Sequence, residues 1–221
     1  MKIEIARDST FFIVALILLM DAPVTSEELD AGALSSDIRF RLFGFLPLMF
    51  FLGQVVHYWR INELGNVLWM CNIGNLLLAM GLFLNQAKLI RVAAIWMVPG
   101  LAVWFVYVVL EWGIFLTSTL AHLGGIIVSA IALRRVRMDQ TAWLYALGWY
   151  YTIQLLSRLI TPAALNVNVA HAVDSAWKQT FTSYWKFWMV LSVITVALLW
   201  VVNVVLYKIW PPRSPVPLPQ S

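Results

Sequence analysis

Six apolar runs dominate the chain, at about residues 40–59, 65–84, 89–110, 114–134, 141–160 and 184–207, with polar and charged residues gathered between them. Each run is close to the ~20 residues a helix needs to cross the hydrocarbon of a bilayer. The pattern predicts an all-α fold, a polytopic transmembrane helix bundle of six spans. Pro47 interrupts the first run, and Pro99-Gly100 at the middle of the third predicts a kink there. Only Glu111-Trp112-Gly113 separates the third run from the fourth, whereas Thr161-Pro162 stops the fifth and opens a longer loop with Asn166-Val167-Asn168.

A shorter apolar run at residues 10–20 precedes these, too short to cross helically. It resembles the core of a signal peptide, with Val24-Thr25-Ser26 as a cleavage site. We expect it instead to be retained as an interfacial or partly inserted helix. The sequence thus divides into an N-terminal segment with an acidic linker (1–38), the bundle (39–210) and a proline-rich tail (211–221) that reads as extended or disordered.

Composition narrows the class. The 221 residues are 62% hydrophobic and 12% charged, against ~45–50% and ~25% in soluble globular chains, which leaves no room for a separate soluble domain. The formal charge of +4 sits mainly in loops and suits membrane orientation rather than nucleic-acid binding. Arg39, Arg41, Lys88, Arg91, Arg134, Arg135, Arg137, Lys208 and Arg213 fall on one predicted face, and Arg60, Lys178 and Lys186 on the other. The positive-inside rule puts the first face and the C-terminus in the cytoplasm, with the bacterial inner membrane as the expected compartment. The tryptophans fall towards both predicted interfaces, as an aromatic belt does. With one cysteine there is no internal disulfide, and without a CxxC or HExxH pattern no metal or cofactor is expected.

Candidate chemistry lies in one half of the predicted membrane. In a helix Cys71 and Asn75 share a face, with Asn72 on its edge. Cys71 is about six residues, or ~9 Å, below the outer end of its helix, and His122 about nine residues, or ~14 Å, below the end of the fourth. Ser118, His122, Gly125 and Ser129 form a small, polar stripe that should face other helices. Gln154 and Arg158 share a face near the outer end of the fifth span, and Asn166 and Asn168 lie just beyond it. Two readings of these residues stay open. They are interhelical hydrogen-bonding glue around a small apolar cysteine, or they surround a membrane-embedded nucleophile. His57, beside Tyr58 and Trp59, reads as an interface anchor, and Arg158 can snorkel to the interface.

Taken in order, Trp69-Met70-Cys71-Asn72, then Leu120-Ala121-His122, then Thr161-Pro162 with Asn166-Val167-Asn168 before a last span, resemble the YwaF-type integral membrane family over residues 45–207. Its animal relatives include a polytopic acyltransferase of ether phospholipids in which a cysteine and a histidine serve the chemistry. The resemblance implies a helical membrane fold and a lipid substrate. The chain departs from the pattern at Asn72, where many relatives carry an acidic residue or a histidine.

The expected function is therefore a lipid acyltransferase or acyl hydrolase working on membrane lipids. Cys71 is its nucleophile and His122 its base. Asn72 or Asn75 donates to the oxyanion, Arg158 with Gln154 holds a lipid phosphate, and Asn166 and Asn168 close the mouth. No carboxylate is evident to orient His122. The alternative is a non-catalytic accessory subunit of a larger membrane complex, in which these residues only pack. A haem or pigment ligand at His57 or His122 is a third reading, without an attachment motif to support it.

Overall fold

The computed structural model describes residues 38–111 and 115–212. The expected N-terminal interfacial segment and almost all of the proline-rich tail lie outside the described residues. The chain divides into two units, 1–39 and 40–221, and the second holds the helix bundle.

Six helices build it, with no strand among the described residues: α1 (Phe45–Arg60), α2 (Met70–Phe83), α3 (Ala87–Glu111), α4 (Leu116–Val136, with a π turn at Leu120–Gly124), α5 (Ala142–Ile160) and α6 (Tyr184–Ile209). They coincide with the six apolar runs. Four stretches are long and apolar enough to cross a membrane: Ile38–Arg60, Ala87–Leu110, Leu116–Val136 and Tyr184–Ile209. That is consistent with an integral membrane protein. The other two helices fall short of the expectation of six spans for different reasons. The 14 residues of α2 rise only ~21 Å, and α5 spends its length on Tyr150, Gln154, Ser157 and Arg158 rather than on aliphatic residues.

The ends of α1 and α2 follow one pattern. Each stops in a Schellman motif with asparagine in the left-handed position, Asn62 at φ 58° and Asn85 at φ 51°. Glu63 N–H reaches Tyr58 O at 2.9 Å and Gln86 N–H reaches Gly81 O at 2.7 Å, which satisfies carbonyls the helix leaves open. Asparagine adopts this conformation more readily than other non-glycine residues. Arg137, at the end of α4, has φ 61° and ψ 157°, a region that is essentially glycine's.

α3 is the hub, packed against α2, α4, α5 and α6. Its first half is buried all round, from Ile90 through Val92–Met97. Beyond Pro99, Val103, Phe105, Val106, Val109 and Leu110 are exposed. A helix apolar on every side is buried in protein or lipid, and α3 is buried in protein along its first half and exposes apolar residues along its second. Trp96 anchors its buried half to α5, donating to Ala146 O at 3.2 Å and stacking on Tyr150.

Close approach of α2 to its neighbours depends on small residues. A Cβ on Gly81 would lie 2.9 Å from the Ile90 backbone nitrogen, and one on Gly125 2.7 Å from Asn75 Oδ1. The two ends of the bundle are tied by polar contacts. At one, Met138 N–H meets Trp210 O at 2.9 Å, and Arg91 reaches the α4–α5 turn. At the other, Asn168 bridges α2 to α5.

Candidate functional site

Cys71 stands in the first turn of α2, whose start is held by the 161–183 loop. Asn168 accepts from Met70 N–H at 3.2 Å and donates to Leu68 O at 2.7 Å and Ser157 Oγ at 3.0 Å. Capping of a helix start by an asparagine carbonyl is familiar, but here the cap comes from 98 residues away in the chain. Asn168 adopts a left-handed conformation to do so, as does Asn166, and Val169 beside them has φ 56°. A β-branched residue at positive φ is strained, so this loop is held in place by the bonds around it. Asn166 supplies several: its Oδ1 accepts from the His171 and Ala172 amides at 3.0 Å each, and its Nδ2 donates to Ala172 O at 3.1 Å.

Half-buried Cys71 faces α3, where its Cβ is 3.3 Å from the place a Cβ on Gly100 would take. The thiol's hydrogen-bond contact is the Asn72 Oδ1 at 4.0 Å, a weak one. Asn72 Nδ2 in turn donates to Asn66 O at 3.1 Å. Asn75, fully buried, gives both its amide hydrogens to carbonyls, Cys71 O at 3.1 Å in its own helix and Ala121 O at 2.9 Å in α4. Its donors are therefore committed, and so are those of Asn72, whose side-chain amide is shared between Asn66 O and the Tyr58 hydroxyl, so neither amide expected to serve an oxyanion keeps a free N–H.

Ala121 precedes His122, and both belong to the π turn of α4. A π turn inserts an extra residue into a helix and is frequent at functional sites. Here it ends in Gly124-Gly125, which lets Phe50 of α1 and Asn75 of α2 approach the backbone. His122 is buried, with its ring stacked on Trp104 at 5.4 Å and 17° between planes. Ser118 locks this pair from both sides, since its Oγ accepts from Trp104 Nε1 at 2.9 Å and its carbonyl bonds His122 Nδ1 at 2.8 Å. A carbonyl can only accept, so in the neutral ring Nδ1 carries the proton and Nε2 the free lone pair. A main-chain carbonyl thus orients the His122 ring, with no carboxylate at that nitrogen among the described residues.

Cys71 and His122 are brought to one side of α3 and do not hydrogen-bond to each other. Gly100 and Trp104, their respective contacts on α3, are four residues apart and so share a face with ~6 Å of rise between them. Asn75 joins them by a second route, through Cys71 O and Ala121 O.

The remaining expected site residues are bound into the scaffold. Gln154 donates to Tyr150 Oη at 3.2 Å and Asn168 O at 3.5 Å, and accepts from Trp188 Nε1 at 2.8 Å. Arg158 is exposed and finds no anion among the described residues. It donates to Ala170 O at 2.8 Å and lies over the rings of Tyr184 and Trp185, at 5.2 and 5.7 Å. Asp174, an acidic residue of the loop beyond α5, caps its own turn by accepting from Ala176 N–H at 3.0 Å. His57 packs edge-on against Tyr58 and tilted against Phe115. Among the described residues no three His, Cys, Asp or Glu side chains gather as a metal site needs. Trp104 and Ser118 are the functional neighbours of His122 that sequence reasoning missed as its partners. The i−4 spacing of Ser118 to His122 within α4 was the available signal.

Comparison with protein-family models, with curated proteins and with solved structures found no match to this chain.

Proposed function

We propose that the protein is a membrane-embedded acyl-transfer enzyme in which Cys71 is the nucleophile and His122 the general base. The observation that carries this reading is the fixed tautomer of His122, which leaves Nε2 able to accept a proton on the side of α3 that Cys71 also faces. Proton transfer over that separation runs through one water or after a rotamer change of the thiol, since unliganded sites are often looser than the ~2.6–3.2 Å of a working pair.

The steps balance without a cofactor. The Cys71 proton passes to His122 Nε2, and the thiolate adds to the acyl carbonyl of a lipid ester. Collapse of the tetrahedral intermediate expels the alcohol part of the donor, which takes the proton back from His122. A hydroxyl of the acceptor, or water in a hydrolase, then loses its proton to His122 and attacks the thioester, which restores the free thiol. Asn72 serves the developing oxyanion only by giving up its bond to Tyr58 or to Asn66 O. The resemblance to the YwaF-type family supports the same pair of residues. In the topology we propose, all six helices cross or are embedded in the bacterial inner membrane, with the α4–α5 turn and the C-terminus cytoplasmic.

A second reading, an accessory subunit of a larger membrane complex, is favoured by the commitment of Asn75, Asn168, Gln154 and Arg158 to the scaffold. One experiment separates the two. Membranes incubated with an alkyne fatty-acyl donor should give a hydroxylamine-sensitive label on the wild-type protein, none on Cys71→Ala, and slower turnover on His122→Ala. Equal labelling of wild type and Cys71→Ala removes the enzyme reading, and stoichiometric co-purification with partners then supports the subunit.

A further inference from the structure

A cavity of about 540 Å³ opens where α4 passes into α5, a volume in the range of small-ligand sites. It is separate from Cys71 and His122, because Arg91, which lines it, precedes Gly100 by nine residues of α3, or ~14 Å of rise. Its charged lining is Arg91, Arg135 and Arg137 against Asp139. Two of these arginines have partners. Arg91 donates to Arg137 O at 2.7 Å and Val136 O at 3.3 Å and pairs with Asp139 Oδ2 at 3.5 Å, while Arg135 lies 4.4 Å over the ring of Phe40. Asp139 is occupied on its other oxygen by Thr141, which donates its amide and its hydroxyl at 2.7 Å each.

Arg137 is different. Its Nε is buried without a hydrogen-bond partner, and its guanidinium has no hydrogen bond or ion pair among the described residues. A partly buried cation without a counter-charge is costly. The same residue holds φ 61° and ψ 157°, where glycine alone is comfortable. An arginine side chain is therefore present where the backbone favours having none, and the residue lines a cavity. The start of α5 at Thr141-Ala142 adds the positive end of a helix to the same wall.

We propose that this cavity binds a phosphate group, with Arg137 as its principal ligand and Arg91 and Arg135 supplying the surrounding positive field. A guanidinium offers paired N–H donors that match two phosphate oxygens. The group is either free phosphate or the headgroup of an anionic phospholipid, and the site is independent of the acyl-transfer reading.

The full-length protein in non-ionic detergent tests this in two arms, radiolabelled inorganic phosphate by equilibrium dialysis and phosphatidic acid against phosphatidylcholine by native mass spectrometry. Retention of phosphate alone identifies a soluble anion, and retention of phosphatidic acid over phosphatidylcholine identifies a headgroup. In either case Arg137→Gln and Arg137→Gly should weaken binding at least about tenfold, by loss of charge-assisted bonds. Arg134→Gln, an exposed arginine outside the cavity, should leave it unchanged. Arg137→Gly should also raise the melting temperature as it relieves the backbone, so that lost binding is not mistaken for lost structure. Failure of both probes to bind, or Arg137→Gln binding as wild type does, overturns the proposal.

Discussion

Asn75 concentrates the logic of this bundle in one side chain. An amide in an apolar interior is stable only with its hydrogen bonds made, and Asn75 Nδ2 makes both of its own across α2 and α4. Its Oδ1 has no such partner and lies where a Cβ on Gly125 would press against it. Gly125→Ala would put a methyl 2.7 Å from that oxygen and 2.8 Å from Met97 Sδ. Asn75 cannot swing away without giving up Ala121 O, so the substitution should destabilise by about 1–3 kcal/mol. Gly148→Ala is the internal control. It meets nothing within 4 Å in the interior of α5 and should be neutral or stabilising by up to ~1 kcal/mol. Unfolding in mixed micelles reads both, and equal midpoints for Gly125→Ala and wild type would show that the oxygen is not held as described. The presence of Cys71, Asn72 and Asn75 on one face was legible from spacing alone. That Asn75 would spend both donors on carbonyls was not, because one of those carbonyls belongs to a different helix.

At the scale of elements, the helices were legible as six apolar runs, although α2 and α5 fall short of membrane-spanning helices, and the helix ends at Asn62 and Asn85 appear only in the structure. The π turn in α4 was not legible either, since nothing in Leu120-Ala121-His122-Leu123-Gly124 differs in composition from an ordinary helical turn. At its end Gly124 and Gly125 lie close to Phe50 of α1 and Asn75 of α2, and that closeness is a property of the neighbours. Removing one residue from it should restore regular α geometry and rotate Ser118 and the rest of the preceding turn by about 100° relative to His122 and the C-terminal part of α4. Deletion of Leu120 should therefore keep the helical circular dichroism but lose the acyl label; a deletion protein that labels as fast as wild type would show the turn to be incidental. The α4–α5 connection makes a second prediction. Hydrogen bonds from the Thr141 hydroxyl and amide, with a smaller contribution from Arg91, hold the Asp139 carboxyl below its usual range. A carboxylate depressed in the folded state contributes stability that is complete above its unfolded value near ~3.9 and lost as pH falls through the folded value. Since the side chain is 42% exposed, the contribution is well under ~1 kcal/mol. Asp139→Asn should melt slightly below wild type at neutral pH and converge with it below about pH 4; a gap that widens in acid reverses the assignment.

At the scale of the molecule, the polar contacts sort the helix ends into two sets. Arg91 near the start of α3, Arg135–Asp139 between α4 and α5, and Tyr207 and Trp210 at the end of α6 meet at one end. Leu68 and Met70 before and at the start of α2, Ser157 and Arg158 near the end of α5, and Tyr184 and Trp188 at the start of α6 meet at the other. The basic residues observe that division. Lys88, Arg91, Arg134, Arg135, Arg137 and Lys208 belong to the first end, and Arg60, Arg158, Lys178 and Lys186 to the second. Arg158 is tied into the scaffold through a carbonyl and two rings, which leaves still less free charge at the second end. Because the bias is carried by short loops close to helix ends, it should set the orientation. A fluorescent protein fused after Ser221 should therefore be bright in the cytoplasm, and alkaline phosphatase at the same point inactive. Phosphatase inserted after Lys178 should be active, on the opposite side. An active phosphatase at the C-terminus would invert the molecule, placing Cys71 towards the cytoplasmic leaflet and Arg137 towards the outer one. On the acyl-transfer reading proposed above, the lipid reaching Cys71 would then come from the other leaflet, which makes the fusion pair the measurement on which the choice of acyl donor depends.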